Sequence, residues 1–160
     1  MLVKTAFAIV VGFVSIGSVF GQRGVIPVCP KLTDTDQLVG WKIKLVVPKD
    51  TTVHQGRNFD YFYWTIDFVH DKDRYQLSGF EGGNVGKAEP AREDIARSRK
   101  LTRRYWTHNK LRGADSSAEL KNGKRWRYFG LFGEVIWYHD ISADAAAYFD
   151  RLIATACFLD

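Results

Sequence analysis

The strongest constraint on the fold is an alternation of apolar and polar residues in two segments, with the two-residue period of a half-buried β-strand. In the segment 40–48 the apolar positions are Trp41, Ile43, Leu45 and Val47, and Pro48 ends the run. In the segment 59–70 they are Phe62, Trp64, Ile66 and Phe68. We therefore expect two strands whose apolar positions face a common core.

Further short strands are predicted between turn signals, over 75–80, 101–108, 117–121, 124–129 and 134–138. Polar residues 71–73 form one turn, and the glycine-rich segment 82–86 forms another. A short helix is predicted over 90–98. Asn122-Gly123 predicts a type I′ hairpin turn, because asparagine and glycine tolerate the two positive φ angles that this turn requires.

A helix is predicted near the C-terminus. Ser142 is a suitable N-cap, and Asp144 in the first turn complements the helix dipole. The apolar residues Phe149, Leu152, Ile153 and Ala156 recur at helical spacing. Six or seven strands followed by this helix predict an α+β fold, with a mainly antiparallel sheet packed by a C-terminal amphipathic helix.

A lipocalin-like β-barrel with a C-terminal helix is the alternative fold. It too is an exported domain of this length with a glycine and a tryptophan in its first strand. Gly40-Trp41, however, lacks the intervening residue of the lipocalin Gly-x-Trp motif.

The spacing of three segments and the terminal helix resembles small exported bacterial proteins of uncharacterised function. The segments are 40–48, Asn58-Phe59-Asp60-Tyr61, and Leu77-Ser78-Gly79-Phe80-Glu81-Gly82. Such proteins resemble the α/β sandwich shared by the photosystem oxygen-evolving subunit (PsbP) and Mog1 nuclear-transport factor families. The resemblance implies a PsbP/Mog1-like fold and assigns no functional residues.

The N-terminal segment predicts export. A short basic start, Met1 to Lys4, precedes an uncharged run from Thr5 to Phe20, and Val19 and Gly21 lie where a signal peptidase requires small or unhindered side chains. We predict a signal peptide over 1–21, cleavage after Gly21, and a single globular domain over 22–160. The run is short for a membrane span, and we expect no transmembrane segment after its removal. The predicted location is secreted or periplasmic.

Two cysteines remain after this cleavage, Cys29 and Cys157, near the two ends of the domain. Because an exported chain meets an oxidising compartment, we expect one disulfide between them. Two buried free thiols and an intermolecular bond are the alternatives.

Catalytic, cofactor and metal motifs are not recognisable. The four histidines form no short His-x-His or His-x-x-x-His pair, so a zinc site has no sequence support. Neither Ser78-Gly79 nor Ser116-Ser117 fits the Gly-x-Ser-x-Gly nucleophile frame. Two carboxylates such as Glu81 and Glu134 could meet in a fold, but nothing in the sequence singles them out. We predict no catalytic residues, no metal and no cofactor.

Charge is unevenly distributed along the chain. Residues 87–127 contain 13 basic and 5 acidic side chains, whereas residues 128–160 contain 1 basic and 5 acidic. The basic candidates are Arg103, Arg104, Arg125 and Arg127, and strand alternation places Trp126 on the face opposite Arg125 and Arg127. A basic face over an aromatic layer suits an anionic envelope polymer or an acidic protein surface, and nucleic acid is not expected for an exported protein. The alternative is a solvated edge strand.

Tyr61, Tyr63 and the neighbouring Phe59 form a second candidate surface. They could line an apolar pocket, or they could be core residues covered by the helix. The leading interpretation is an exported, non-catalytic binding domain that uses the basic hairpin. A carrier of a small apolar ligand is the second interpretation, and an envelope enzyme of unknown reaction is the third.

Overall fold

The computed structural model describes residues 26–82, 92–108, 111–131 and 133–159. In these residues the chain forms ten strands and two helices. The strands are β1 (Asp36–Gly40), β2 (Ile43–Pro48), β3 (Val53–Arg57), β4 (Tyr61–His70), β5 (Asp73–Gly82), β6 (Ser98–His108), β7 (Leu111–Leu120), β8 (Arg125–Leu131), β9 (Glu134–Ile141) and β10 (Cys157–Phe158). The helices are α1 (Arg92–Arg97) and α2 (Ala143–Ile153). The predicted signal peptide and most of the predicted turn at 82–86 lie outside the described residues.

The strands form two antiparallel sheets. One has seven strands in the order β3-β4-β5-β9-β8-β7-β6, and the other has three in the order β1-β2-β10. The expected mainly antiparallel sheet is confirmed, but the described part of the protein is mainly β rather than α+β. Strands β1, β3 and β10 were missed because they are short and carry no regular alternation.

The barrel alternative is wrong for the described residues. The seven-stranded sheet ends at β3 on one side and at β6 on the other, so it does not close on itself. Both end strands consequently leave one row of backbone groups without a partner in this sheet.

Alternation predicted the buried positions of β2 and β4. Ile43, Leu45 and Val47 are buried in β2, and Trp64 and Ile66 are buried in β4. Opposite side chains of β4, such as Tyr63, point to the other face of the sheet. We call the face that carries Trp64 and Ile66 the inner face, and the face that carries Tyr63 the outer face.

Trp41 departs from the alternation. It lies in the turn between β1 and β2 rather than in the strand, and 54% of its surface is exposed. Gly40 makes this turn possible, because its φ of +113° favours glycine and a Cβ atom there would collide with the carbonyl oxygen of Ile43. The prediction that Trp41 faces the core is therefore wrong.

Two hairpin turns have geometries that the sequence did not predict. Asp71 and Lys72 both have positive φ, so the polar turn between β4 and β5 has the type I′ signature. In the Asn122-Gly123 turn only Gly123 has positive φ among these two residues. The Gly123 amide donates to the Leu120 carbonyl oxygen at 2.9 Å, and the Leu120 amide donates to that of Lys124 at 2.7 Å. The loop thus has three residues with glycine last, and the type I′ prediction is wrong.

One hydrophobic cluster contains buried residues of both sheets and of α2. From α2 it includes Ala145, Ala146, Phe149, Leu152 and Ile153. The Phe149 ring lies 6.0 Å from that of Tyr138 in β9 and 6.2 Å from that of Phe68 in β4. Ser142 is the N-cap of α2, as predicted, and its hydroxyl accepts a hydrogen bond from the Ala145 amide at 3.3 Å.

The expected disulfide joins Cys29 to Cys157. The bond crosses from the N-terminal segment to β10, where the Cys29 amide donates to the Phe158 carbonyl oxygen at 2.7 Å. Neither of the described helices is long and apolar enough to cross a membrane.

Candidate functional site

Strand β7 separates the predicted basic residues into two groups. Arg103 and Arg104 belong to β6, whereas Arg125 and Arg127 belong to β8, and β7 lies between these strands. Because adjacent strands are about 4.8 Å apart, β6 and β8 are about 10 Å apart. The register places Asp115 of β7 opposite Arg104 and Glu119 opposite Arg125. The predicted continuous basic face is therefore interrupted by carboxylates.

Arg127 is largely buried, and its charge is matched inside the molecule. Its Nε and Nη2 atoms donate to the two carboxylate oxygens of Asp115, each at 2.8 Å, and its Nη1 donates to Asp150 at 2.8 Å. Burial alone would lower the pKa of Arg127, but the hydrogen bonds and charges of Asp115 and Asp150 outweigh it and raise the pKa. The Tyr138 hydroxyl donates to the same Asp150 oxygen at 2.9 Å.

The other three arginines are exposed. Arg103 and Arg104 form no ion pair with any described residue, and they lie on β6 at the edge of the sheet. Arg125 borders a small cavity of about 190 Å³ that it shares with Lys100, Glu119 and Asp150. The arginines of β6 therefore keep uncompensated charge, whereas Arg125 lies beside acidic groups.

Trp126 is fully buried and is not available to a partner. It packs with Ala118 and Leu120 in a second, smaller apolar cluster. Its indole Nε1 donates to the Ser98 hydroxyl at 2.9 Å. As predicted, Trp126 and Arg127 lie on opposite faces of β8. Phe129, which shares the face of Arg127, belongs to the main cluster.

Tyr61 and Tyr63 lie on the outer face, but their surroundings differ. Tyr63 is exposed, whereas Tyr61 is half-buried and stacks on Phe80 with a centroid distance of 4.8 Å. Phe59 is fully exposed at the tip of the hairpin formed by β3 and β4. The alternative that these aromatic residues belong to the core is therefore wrong for Phe59 and Tyr63.

A cavity of about 390 Å³ lies where several chain turns meet, and we call it the hairpin-tip cavity. Its aromatic walls are Trp41, Phe59, Tyr61 and Phe62. Its charged and amide side chains are Lys42, Arg57, Asn58, Asp60 and Glu81. Two of these lining residues form an ion pair, in which Lys42 Nζ lies 3.2 Å from a carboxylate oxygen of Glu81. The volume lies within the range of about 300–1,000 Å³ that is typical of small-molecule sites.

Glu134 binds the backbone of the turn that carries Trp41 and Lys42. Only 1% of its surface is exposed, and its carboxylate accepts hydrogen bonds from the backbone amides of Ile43 at 2.9 Å and Trp41 at 3.4 Å. It therefore fixes the turn that carries Trp41 and Lys42. Burial raises the pKa of Glu134 to about 7, the amide of Ile43 opposes this shift, and the negative charge of Glu81 adds to it.

The sequence did not identify this cavity. Glu81 and Glu134 are separated widely in the chain, and only the pairing of β5 with β9 places them opposite each other. Because β3 carries no strand pattern, the sequence did not show that Asn58, Phe59 and Asp60 form a turn between two strands.

No metal site is formed within the ranges that the structure describes. No group of three His, Cys, Asp or Glu side chains there is close enough to hold an ion.

Comparison with known proteins gives no relative. No family model matches the chain, and no curated protein or solved structure matches it.

Proposed function

We propose that this protein is an exported, non-catalytic binding domain that contacts an anionic polymer of the cell envelope through strand β6. The observation that carries the proposal is the pair Arg103 and Arg104, which are exposed on a strand at the edge of the sheet and form no ion pair with any residue that the structure describes. Asp115, the carboxylate opposite Arg104, is bound through both oxygens to Arg127. The positive charges of β6 are therefore available to attract a polyanion.

The shape of β6 favours a linear partner. Arg99, Arg103 and Arg104 are exposed along one extended strand, which presents positive charge as a row. Arg103 and Arg104 project to opposite faces of the sheet, so a polymer lying along the edge can contact both. The disulfide supports an oxidising environment outside the cytoplasm, and the predicted signal peptide supports export.

The test is an anisotropy titration of the oxidised protein against fluorescein-labelled heparin fragments, at low and at physiological salt. We expect binding that weakens steeply with salt, because bound polyanions release counterions. The double variant Arg103→Glu/Arg104→Glu should weaken binding by about tenfold or more. Labelled polyglutamate serves as the probe for the acidic protein surface that the sequence left open.

The matched control is Lys31→Glu/Lys49→Glu, which changes the net charge equally at two exposed residues outside β6. The single variant Arg125→Glu is expected to weaken binding less than the single variant Arg103→Glu, since Glu119 and Asp150 border Arg125. Equal loss in the β6 variant and the control would show an effect of net charge alone and would overturn the proposal. Tighter binding of polyglutamate than of heparin would favour the acidic protein instead.

A further inference from the structure

The hairpin-tip cavity is formed by turns rather than by the core. Trp41 and Lys42 come from the turn between β1 and β2, Phe59 comes from the turn between β3 and β4, and Gly133 comes from the turn between β8 and β9. The end of β5 closes one side, where the Gly82 amide donates to the Gly133 carbonyl oxygen at 3.0 Å. Such a cluster of turns on a rigid sheet is a usual position for a binding site.

Two large aromatic side chains at this cavity are exposed without any structural need. Phe59 is fully exposed, and Trp41 is more than half exposed although its ring lies 5.8 Å from that of Phe62. Exposing an aromatic ring to water costs free energy, so two exposed rings at one cavity indicate a surface that a partner covers.

Hydrogen bonds fix both turns before any ligand arrives. The Asn58 side chain accepts from the Phe59 amide at 2.8 Å and donates to the Tyr61 hydroxyl at 3.0 Å. Glu134 holds the backbone of the Trp41 turn. A site with fixed walls loses less entropy on binding than a site that must be ordered.

The charges at the cavity are balanced. Lys42 and Arg57 contribute two positive charges, and Asp60 and Glu81 contribute two negative charges. This balance does not favour a net anion or a net cation, and four charged groups disfavour a wholly apolar ligand. The groups supply many hydrogen-bond donors and acceptors at close spacing, with Asn58 adding both.

We infer that the hairpin-tip cavity binds a neutral carbohydrate. The faces of Trp41 and Phe59 contact the apolar C–H face of a sugar ring, and the surrounding polar side chains bond to its hydroxyl groups. A sugar is the ligand class that combines an apolar ring face with hydroxyls that both donate and accept. The inference does not rest on the proposed function of β6, which lies at the edge of the sheet opposite β3 and β4.

The experiment titrates the oxidised protein with neutral tetrasaccharides of N-acetylglucosamine, of β-linked glucose and of α-linked glucose, monitored by tryptophan fluorescence and by calorimetry. We expect saturable binding of at least one of them. Phe59→Ala should weaken that binding by about fivefold to tenfold without affecting folding, because the side chain contacts only solvent at the turn.

Tyr105→Ala is the matched control, since Tyr105 is a strongly exposed aromatic residue on β6, away from the cavity. It should leave sugar affinity unchanged, as should Arg103→Glu/Arg104→Glu. Absence of saturable binding by all three sugars, or equal affinity of wild type and Phe59→Ala, would overturn the inference. The inference would also be overturned, in favour of a lipid surface, if the protein bound neutral phosphatidylcholine vesicles more tightly than any of the sugars and Phe59→Ala abolished that vesicle binding.

Discussion

Arg127 and Glu134 are two buried ionisable groups on the inner face of the same sheet, and they differ in the charge of their neighbours. Arg127 has two carboxylates within 2.8 Å, so its charge is matched by opposite charge. Within the described ranges the hydrogen-bond partners of Glu134 are backbone amides, and the nearby Glu81 adds a like charge. The pKa of Arg127 is raised away from the physiological range, whereas that of Glu134 is raised into it.

This difference in neighbouring charge shows that a buried group keeps the same protonation state across the physiological pH range only where opposite charges surround it. Burial disfavours the charged form of both groups. Only at Arg127 do the neighbours supply enough opposite charge to overcome this cost, and we call Arg127, Asp115 and Asp150 the Arg127 cluster. Strand β7 is the cause, because it brings Asp115 next to β8. We therefore expect the Arg127 cluster to act as a fixed structural group, and Glu134 to respond to pH.

The largest effect is expected from removing the guanidinium of the Arg127 cluster. Arg127→Ala leaves the carboxylates of Asp115 and Asp150 without their partner and should lower the free energy of unfolding by about 3–5 kcal/mol. Urea denaturation measures the change. The control is Arg103→Ala at an exposed position, which should change the free energy of unfolding by no more than about 0.5 kcal/mol. A loss for Arg127→Ala no greater than the control would contradict the contrast between the two sites.

The next effect concerns pH and Glu134. The folded pKa of about 7 exceeds the ordinary value of 4.5, so the folded state binds a proton more tightly than the unfolded state. The free energy of unfolding should therefore fall by about 3 kcal/mol as the pH rises from 4.5 to 7. Denaturant titrations across this range measure the slope.

Glu134→Gln provides the control for that slope. The amide resembles the protonated carboxyl group and cannot ionise, so the variant should lose this part of the pH dependence and match the wild type at low pH. A Glu134→Gln protein that keeps the full slope would assign it to other groups.

A smaller effect is expected from replacing each of the two carboxylates that bind Arg127. Asp115 makes two bonds to Arg127 and is more buried than Asp150, which makes one. We expect Asp115→Asn to cost about 2 kcal/mol and Asp150→Asn about 1 kcal/mol. Thermal unfolding compares the two variants directly. The reverse order would show that Tyr138, through its bond to Asp150, matters more than the bidentate pair.

The smallest effect tests the neighbours of Glu134. Lys42 lowers the pKa of Glu134 and Glu81 raises it, both through charge. Lys42→Gln should therefore move this pKa upward, and Glu81→Gln should move it downward, each by a few tenths of a unit for partly exposed charges. NMR titration of the Glu134 side-chain carboxyl carbon measures both. Shifts in the same direction would mean that the substitutions act by moving the Trp41 turn.

Local pattern predicted much of the fold. The alternation in β4 and the Ser142 cap of α2 depend on neighbouring residues, so both could be seen in the chain. The disulfide was predicted because the chain has two cysteines outside a predicted signal peptide, and the bond is present. Lys100 and Asp140 adopt positive φ without any glycine signal, and no local rule indicated them.

Sheet order was the information that the sequence lacked. The sequence predicted neighbouring strands that carry the arginines, but only the tertiary structure shows that Asp115 of β7 lies opposite Arg104 and that Glu119 lies opposite Arg125. The hairpin-tip cavity depends in the same way on turns that are distant in sequence. A pattern of residues indicates which face a side chain occupies, but not which strand becomes its neighbour.

The Cys29–Cys157 bond closes a covalent ring that spans a sequence separation of 128 residues and contains both sheets and α2. A mechanical pull applied at the two ends of the chain is transmitted through this bond, and the strands inside the ring carry none of the load. A protease cut at any single point inside the ring leaves one covalently connected molecule. After reduction, a pull at the ends acts on the pairing of β10 with β2, and a single cut divides the chain into two pieces.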